Sequence, residues 1–112
     1  MNFKTGDLLL SETDFSKIIR NQKGLVIILC SAEDNACSFL LESSLRELQR
    51  EIAQQISWYI INLETVKTFA ETYSVKDIPT LLYFNNGRLI DVSAGLLSKN
   101  ELILKIQKNL GQ

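Results

Sequence analysis

The chain has 112 residues, of which 46% are hydrophobic and 22% are charged, and its formal net charge at pH 7 is −1. A chain of this length and composition forms one globular domain with its own core, which excludes an intrinsically disordered protein. Charges of both signs are scattered along the sequence, so it has neither a basic stripe for nucleic acid nor a cationic face for a membrane.

The first half of the chain predicts a capped helix that starts at residues 11–14 and ends before Gly24, with a short strand near residues 7–10 as an option. The apolar run at residues 25–30 predicts a strand buried on both faces. Apolar residues then recur at helical spacing from Phe39 to Ile52, which predicts a long helix with this stripe against the sheet. This helix is expected to end near Gln54 or Gln55 and to carry Cys37 in its first turn.

The second half predicts a strand at residues 58–63, a short helix at 66–73 and a strand at 80–84. Asn86-Gly87 predicts a hairpin into a further strand at residues 88–93. Ser98 and Glu101 form a capping box for a last helix that Gly111 ends. Strands that alternate with helices and end in a hairpin indicate an α/β fold, with a mixed sheet covered by helices on both faces in one domain, residues 1–112.

The absence of histidine removes several kinds of site. Ser-His and Cys-His nucleophile pairs are excluded within this chain, as are zinc sites that need imidazole, and two cysteines cannot form a closed thiolate zinc site. We therefore expect no metal and no cofactor. The N-terminal segment lacks the apolar core of a signal peptide, and no apolar run approaches membrane-spanning length, so we expect a cytoplasmic protein with reduced cysteines.

Three landmarks make the sequence similar to the thioredoxin family across residues 8–110. These are a buried strand that leads into a helix with a cysteine in its first turn, the Ile-Pro-Thr sequence around Pro79, and the Asn-Gly hairpin with the later Gly95. The resemblance implies a thioredoxin-like fold, with a mixed sheet of four to five strands and about four helices. It also implies that Pro79 is cis, beside the redox cysteines, and that the backbone of Ile78 meets an extended substrate segment.

The motif of the family, Trp-Cys-Gly-Pro-Cys, is matched here by residues 33–37, Glu-Asp-Asn-Ala-Cys. In this alignment Asp34 replaces the attacking cysteine and Cys37 is the resolving one. The exchange cycle of the family consists of attack by the first thiol on a disulfide, formation of a mixed disulfide, and release of the product by the second thiol. With only one thiol in the motif, this cycle cannot be completed.

The resemblance also implies losses around the motif. The buried acid and the lysine that move protons to and from the second cysteine are matched by Ile28 and Ile60, and the indole below the site by Cys30. We expect Cys30 to be a core residue, and a Cys30–Cys37 disulfide is disfavoured because a strand end and a helix turn rarely meet the required geometry.

The charges near Cys37 favour its thiol form. Asp34 is expected to cap the helix and so to occupy the N–H groups that would stabilise a thiolate, while Glu33 and Asp77 add negative charge. Cys37 is therefore predicted to be mainly protonated at neutral pH. It is interpreted as a small buried remnant of a dithiol site, with a slow single thiol as the alternative.

Three functions follow from this interpretation. The first is a protein- or peptide-binding module without dithiol turnover, whose groove is formed by Ala32, Glu33, Asp34, Asp77, Ile78, Pro79, Ala94 and Gly95. The second is a residual thiol-disulfide oxidoreductase of cell redox homeostasis, in which Cys37 works with an external small thiol. The third is a subunit of a larger assembly that supplies the reacting group in trans. The expected partner is a neutral or basic protein segment, with no nucleic acid and no membrane, and the sequence leaves the oligomeric state open.

Overall fold

A computed structural model describes residues 3–52 and 56–111 of the chain. The predicted end of the long helix near Gln54 or Gln55 lies outside the described residues. The elements are β1 (Leu8–Leu9), α1 (Glu12–Asn21), β2 (Leu25–Ser31), α2 (Ala36–Ile52), β3 (Ile56–Asn62), α3 (Lys67–Thr72), β4 (Thr80–Asn85), β5 (Arg88–Ala94) and α4 (Lys99–Leu110).

The five strands form one sheet in the order β1-β3-β2-β4-β5. Strand β2 pairs parallel to β3 and antiparallel to β4, which confirms the predicted mixed sheet. Ser31 pairs with Asn62, Cys30 with Thr80, and Thr80 with Ala94. The ends of β2, β3 and β5 and the start of β4 therefore meet at one edge of the sheet, where the candidate site lies.

Each face of the sheet carries its own buried cluster, because β2 is apolar at almost every position. One cluster lies on the face covered by α2 and α4 and includes Leu29 and Ile60. The other lies on the face covered by α1 and α3 and includes Ile28 and Cys30. The long central strand is therefore the common wall of two cores.

The apolar stripe of α2 differs from its prediction. Leu41, Leu45 and Leu48 are buried as expected, but Phe39 is 69% exposed and Leu40 is 53% exposed. Buried residues at three- and four-residue spacing extend the stripe back to a polar one, Ser38. The face of α2 that packs against the sheet therefore begins at Ser38 and continues through Leu41, Leu45 and Leu48.

The turn and cap signals of the second half are confirmed. Asn86 and Gly87 both have positive φ in the hairpin between β4 and β5, and Ser98 and Glu101 form a complete capping box at the start of α4. Strand β5 is joined to α4 through the Asp91 carboxylate, which accepts hydrogen bonds from Lys105 Nζ at 2.9 Å and from Asn109 Nδ2 at 3.0 Å.

Candidate functional site

The Ile78–Pro79 peptide bond is cis, as the resemblance implied. Both sides of this loop are held: the Thr80 hydroxyl donates to the Asp77 carbonyl oxygen at 2.6 Å, and the Gly95 N–H donates to the Pro79 carbonyl oxygen at 2.8 Å. Pro79 is buried, whereas Ile78 is 36% exposed and makes no backbone hydrogen bond with another described residue. The backbone of Ile78 is therefore available to an extended segment.

The start of α2 contradicts the prediction that Asp34 is its N-cap. The Ser38 N–H donates to Oδ1 of Asn35 at 2.8 Å, and the Phe39 N–H donates to the Asn35 carbonyl oxygen at 3.1 Å. Asn35 is therefore the cap. Asp34 has a φ of 55°, in the left-handed region, whereas an N-cap residue has extended backbone, so Asp34 belongs to the turn before the helix.

Cys37 also differs from its prediction. The second residue of α2 is exposed rather than buried, so the interpretation of Cys37 as a small core remnant is wrong. The physical reason is the phase of the helix, which directs the neighbouring Ser38 toward the sheet.

Ser38 is a residue that the sequence interpretation missed. It is 3% exposed, and its Oγ finds no hydrogen-bond partner among the residues that the structure describes. A buried hydroxyl without a partner is energetically unfavourable, and such groups commonly mark a position with another role. A polar residue that continues the i, i+3, i+7 spacing of Leu41, Leu45 and Leu48 was the available signal.

The residue of β2 that lies beneath α2 is also one position away from the residue that the resemblance implied. Ile60 lies on the face covered by α2, but Ile28 lies on the opposite face, so these two side chains cannot form the pair that the resemblance implied. The register partner of Ile60 on β2 is Leu29, which is completely buried. The pair below the helix is thus Leu29 and Ile60, and it is as apolar as expected.

Cys30 lies in the core, as predicted, on the face of the sheet covered by α1 and α3. Burial raises the pKa of its thiol to about 12. Cys30 and Cys37 are both unpaired, and Cys30 is placed in the cluster on the far side of the sheet from α2.

The rim of the site is acidic. Glu33, Asp34 and Asp77 are exposed, and neither Glu33 nor Asp34 forms a salt bridge with a described residue. Oε1 of Glu64 accepts a hydrogen bond from the Glu33 N–H at 3.0 Å, while the Glu64 N–H donates to Oδ1 of Asn62. Glu64 is a further acid that sequence reasoning missed, and its position just after β3 was the signal.

An open groove of about 490 Å³ runs along the turn before α2 and the first turns of the helix. Its walls are formed by Ser31, Ala32, Glu33, Asp34, Asn35, Ala36, Ser38, Phe39 and Glu42. Small and polar side chains therefore surround a space next to the buried Ser38 hydroxyl.

The topology brings the sequence-predicted groove residues to one edge of the sheet. Ala32, Glu33 and Asp34 follow β2, Asp77–Pro79 precede β4, Ala94 is the last residue of β5, and Gly95 follows it. Within residues 3–52 and 56–111, no group of three or more Cys, Asp or Glu side chains is arranged to hold a metal ion. No helix in this part of the chain has the length and apolar character needed to cross a membrane.

The comparisons with known proteins agree with this architecture. The thioredoxin family model matches residues 7–108. The thioredoxin of Chlamydia trachomatis is 32% identical over 101 residues, covering 90% of this chain and 96% of that protein, and the thioredoxin of Buchnera aphidicola from Acyrthosiphon pisum is 29% identical over 102 residues, covering 90% and 94%. The X-ray structure of Fasciola hepatica thioredoxin has a TM-score of 0.83 at 21% identity and covers 92% of this chain and 98% of its own, a likeness of fold alone.

Proposed function

The chain belongs to the thioredoxin family, and from this premise we propose that it is a protein- or peptide-binding module that has lost dithiol turnover. The observation that carries the proposal is the sulfur content of the first turn of α2. Cys37 is the only cysteine between Ser31 and the end of the chain. A two-thiol exchange cycle needs an attacking and a resolving sulfur at this turn, and it cannot close with one.

We further place the two thiol positions of the family motif at Asn35 and Ser38, one residue later than the sequence alone indicates. The resemblance puts the second thiol beside the acid and lysine below the helix, and the residue of α2 that is buried there is Ser38. Leu29 rather than Ile28 shares the face of Ile60, which supports the same displacement. In this alignment neither position carries sulfur, and Cys37 falls between them.

The groove beside Pro79 supports the binding function. Addition of an extended segment as an extra strand needs only main-chain donors and acceptors, and the loop at Ile78 keeps these exposed while Thr80 and Gly95 hold it in place. None of these groups depends on a thiol. Loss of the dithiol therefore leaves the recognition surface intact.

A cytoplasmic location is part of the proposal. Cys30 and Cys37 are unpaired, which is the expected state of cysteines in a reducing compartment.

The exposure of Cys37 favours a second candidate function, a residual oxidoreductase in cell redox homeostasis. The Cys37 thiolate would attack a disulfide, forming one mixed disulfide and releasing one thiolate. A first external thiol would then displace the bound product and take its place on Cys37, and a second would free the Cys37 thiol, so that the two small thiols leave as their own disulfide. This turn offers no second thiol to resolve the mixed disulfide, so the cycle depends on external thiols and is expected to be slow.

The binding function is tested by selecting displayed peptides against the reduced protein and measuring their affinity for groove variants. Ala94→Trp places a bulky side chain at the groove end of β5, whereas Arg88→Trp makes the same change at the opposite end of the strand. We expect peptide binding to be lost in the first variant and retained in the second. Equal binding by both would contradict the placement of the groove, and failure to select any peptide would contradict the proposed function.

A further inference from the structure

Strand β5 lies at one end of the sheet, so only one of its two sides is paired with another described strand. The other side of such a strand presents N–H and C=O groups that can pair with a further strand. The strand has seven residues, and its Leu89 and Val92 side chains are 41% and 44% exposed. Both lie on the same face of the sheet, because their register partners Phe84 and Leu82 belong to the cluster covered by α1 and α3. The edge is therefore long and partly apolar.

The direction of the N–H groups along β5 follows from the residue just after the strand. The Gly95 N–H donates to the Pro79 carbonyl oxygen, on the β4 side, at 2.8 Å. Successive N–H groups of an antiparallel strand alternate between its two sides. The N–H groups of Ser93 and Asp91 therefore point toward β4, and the N–H of Val92 points outward, where a further strand would meet it.

The outward N–H of Val92 is occupied by a side chain of its own strand. Oδ1 of Asp91 accepts a hydrogen bond from this N–H at 2.9 Å. The other carboxylate oxygen, Oδ2, accepts from Lys105 Nζ at 2.9 Å and from Asn109 Nδ2 at 3.0 Å, and Lys108 Nζ lies 3.8 Å away. Helix α4 thus holds the carboxylate in the position from which it caps the outer edge of β5.

The pairing of β5 is also interrupted next to Asp91. Tyr83 pairs with Asp91 and Phe84 pairs with Leu89, which leaves Ile90 without a register partner on β4. Bulges and inward-pointing charged side chains are two means by which edge strands avoid pairing with another chain. Both are found here within three consecutive residues, beside the exposed apolar side chains.

We propose that the outer edge of β5 is a self-association surface for a second copy of this chain, and that the Asp91 carboxylate blocks it by occupying the Val92 N–H. Two copies of β5 related by a two-fold axis perpendicular to the sheet pair antiparallel and keep equivalent faces on the same side. The Leu89 and Val92 side chains of the two copies then meet on one face, apolar against apolar. While Asp91 accepts from the Val92 N–H, this pairing loses a hydrogen bond in each copy, and the protein stays monomeric. The inference rests on residues 88–92 and does not depend on the proposed function.

Analytical ultracentrifugation over a range of protein concentrations tests the proposal. We expect a monomeric wild type and self-association at least about tenfold stronger in Asp91→Ala, because the Val92 N–H of each copy becomes available. Asp91→Ala/Val92→Pro removes that outward N–H and should be monomeric again. Asn109→Ala is the matched control, since it removes another contact between α4 and β5 but leaves the Asp91 cap in place, and it should stay monomeric.

Each of four results would overturn the inference. These are a wild type that associates as strongly as Asp91→Ala, a folded Asp91→Ala that stays monomeric, equal association of Asn109→Ala, and association that persists in the double variant. Hydrogen exchange of the wild type decides the matter if Asp91→Ala does not fold. The Val92 amide should then have a higher protection factor than the Ala94 amide, which points outward by the same alternation and has no described partner. Equal protection of the two amides would show that the Val92 N–H is not capped and would also overturn the inference.

Discussion

Oδ1 of Asn35 accepts a hydrogen bond from the Ser38 backbone N–H at 2.8 Å, and this contact joins the two residues that we place at the thiol positions of the thioredoxin motif. An amide thus caps the helix at the first position, and a hydroxyl without a partner lies buried at the second. The two positions therefore hold an amide and a hydroxyl in place of the pair of sulfurs on which thiol-disulfide exchange depends.

The cap predicts a loss of stability when the Asn35 side chain is removed. Asn35→Ala should lower the free energy of unfolding by about 1 kcal/mol, because the Ser38 N–H loses its acceptor. Asp34→Asn is the matched control and should change it little, since Asp34 does not cap the helix. Urea denaturation measures both, and a larger effect at Asp34 would contradict the assignment of the cap.

The unpartnered hydroxyl of Ser38 predicts that its removal raises the free energy of unfolding, whereas removal of the Asn35 cap lowers it. Ser38→Ala should raise the free energy of unfolding by about 1 kcal/mol, because it removes a buried polar group that has no partner. Ser93 provides the control: it is also buried, but its Oγ lies 2.9 Å from the Tyr83 hydroxyl. Ser93→Ala should therefore be destabilising by about 1–2 kcal/mol. Destabilisation by Ser38→Ala of similar size would show that its hydroxyl is bonded after all.

The two cysteines should differ in accessibility. In the folded protein near neutral pH, a thiol-reactive probe should modify Cys37 and leave Cys30 unmodified, because Cys30 is fully buried and has its thiol pKa raised to about 12 by burial. Mass spectrometry should find one label per native chain and a second label only after unfolding. Native Cys37→Ser should take up no label, and labelling of Cys30 in that variant would contradict the position of β2.

Asp91 predicts a dependence of stability on acid. Burial raises the pKa of this carboxyl, but hydrogen bonds from Asn109 and Lys105 outweigh it and leave the pKa below its ordinary value. A lowered folded-state pKa contributes stability that is present above the unfolded-state pKa and is lost as the pH falls below about 4. Asp91→Asn should therefore weaken the acid dependence of the unfolding free energy, whereas Glu71→Gln should not. Identical acid profiles for the wild type and Asp91→Asn would contradict this contribution.

Much of the fold could be predicted because its local signals are strong. The Asn86-Gly87 hairpin, the Ser98 capping box and the apolar run of β2 each have a direct physical cause in the residues themselves. The groove residues on three separate elements were also predicted to meet, since the register of β2, β4 and β5 brings their ends to one edge.

The sequence could not predict which residues of β2 and of the first turn of α2 face the site. The reason lies in the composition of β2. A strand that is apolar on both faces has no alternation, so the sequence does not distinguish Leu29 from Ile28 as the neighbour of Ile60. At the helix, Asp34 and Asn35 are both good N-caps, and Asp34 and Cys37 have the spacing of the dithiol motif. Tertiary packing decides between these alternatives.

The central claim is that the thiol positions of this thioredoxin relative hold Asn35 and Ser38. It predicts that restoring sulfur there, with Cys37 removed, creates an activity that a cysteine at Asp34 does not. The variants to compare are Asn35→Cys/Cys37→Ser/Ser38→Cys and Asp34→Cys, which pairs with the native Cys37 in the alternative alignment.

Insulin reduction driven by dithiothreitol, measured for the wild type and both variants, tests this claim most directly. We predict a rate for the wild type that equals the dithiothreitol background, a clear gain in the triple variant, and little or none in Asp34→Cys. Turnover by the wild type at the rate of the triple variant would contradict the account, and a gain confined to Asp34→Cys would move the thiol positions back to Asp34 and Cys37.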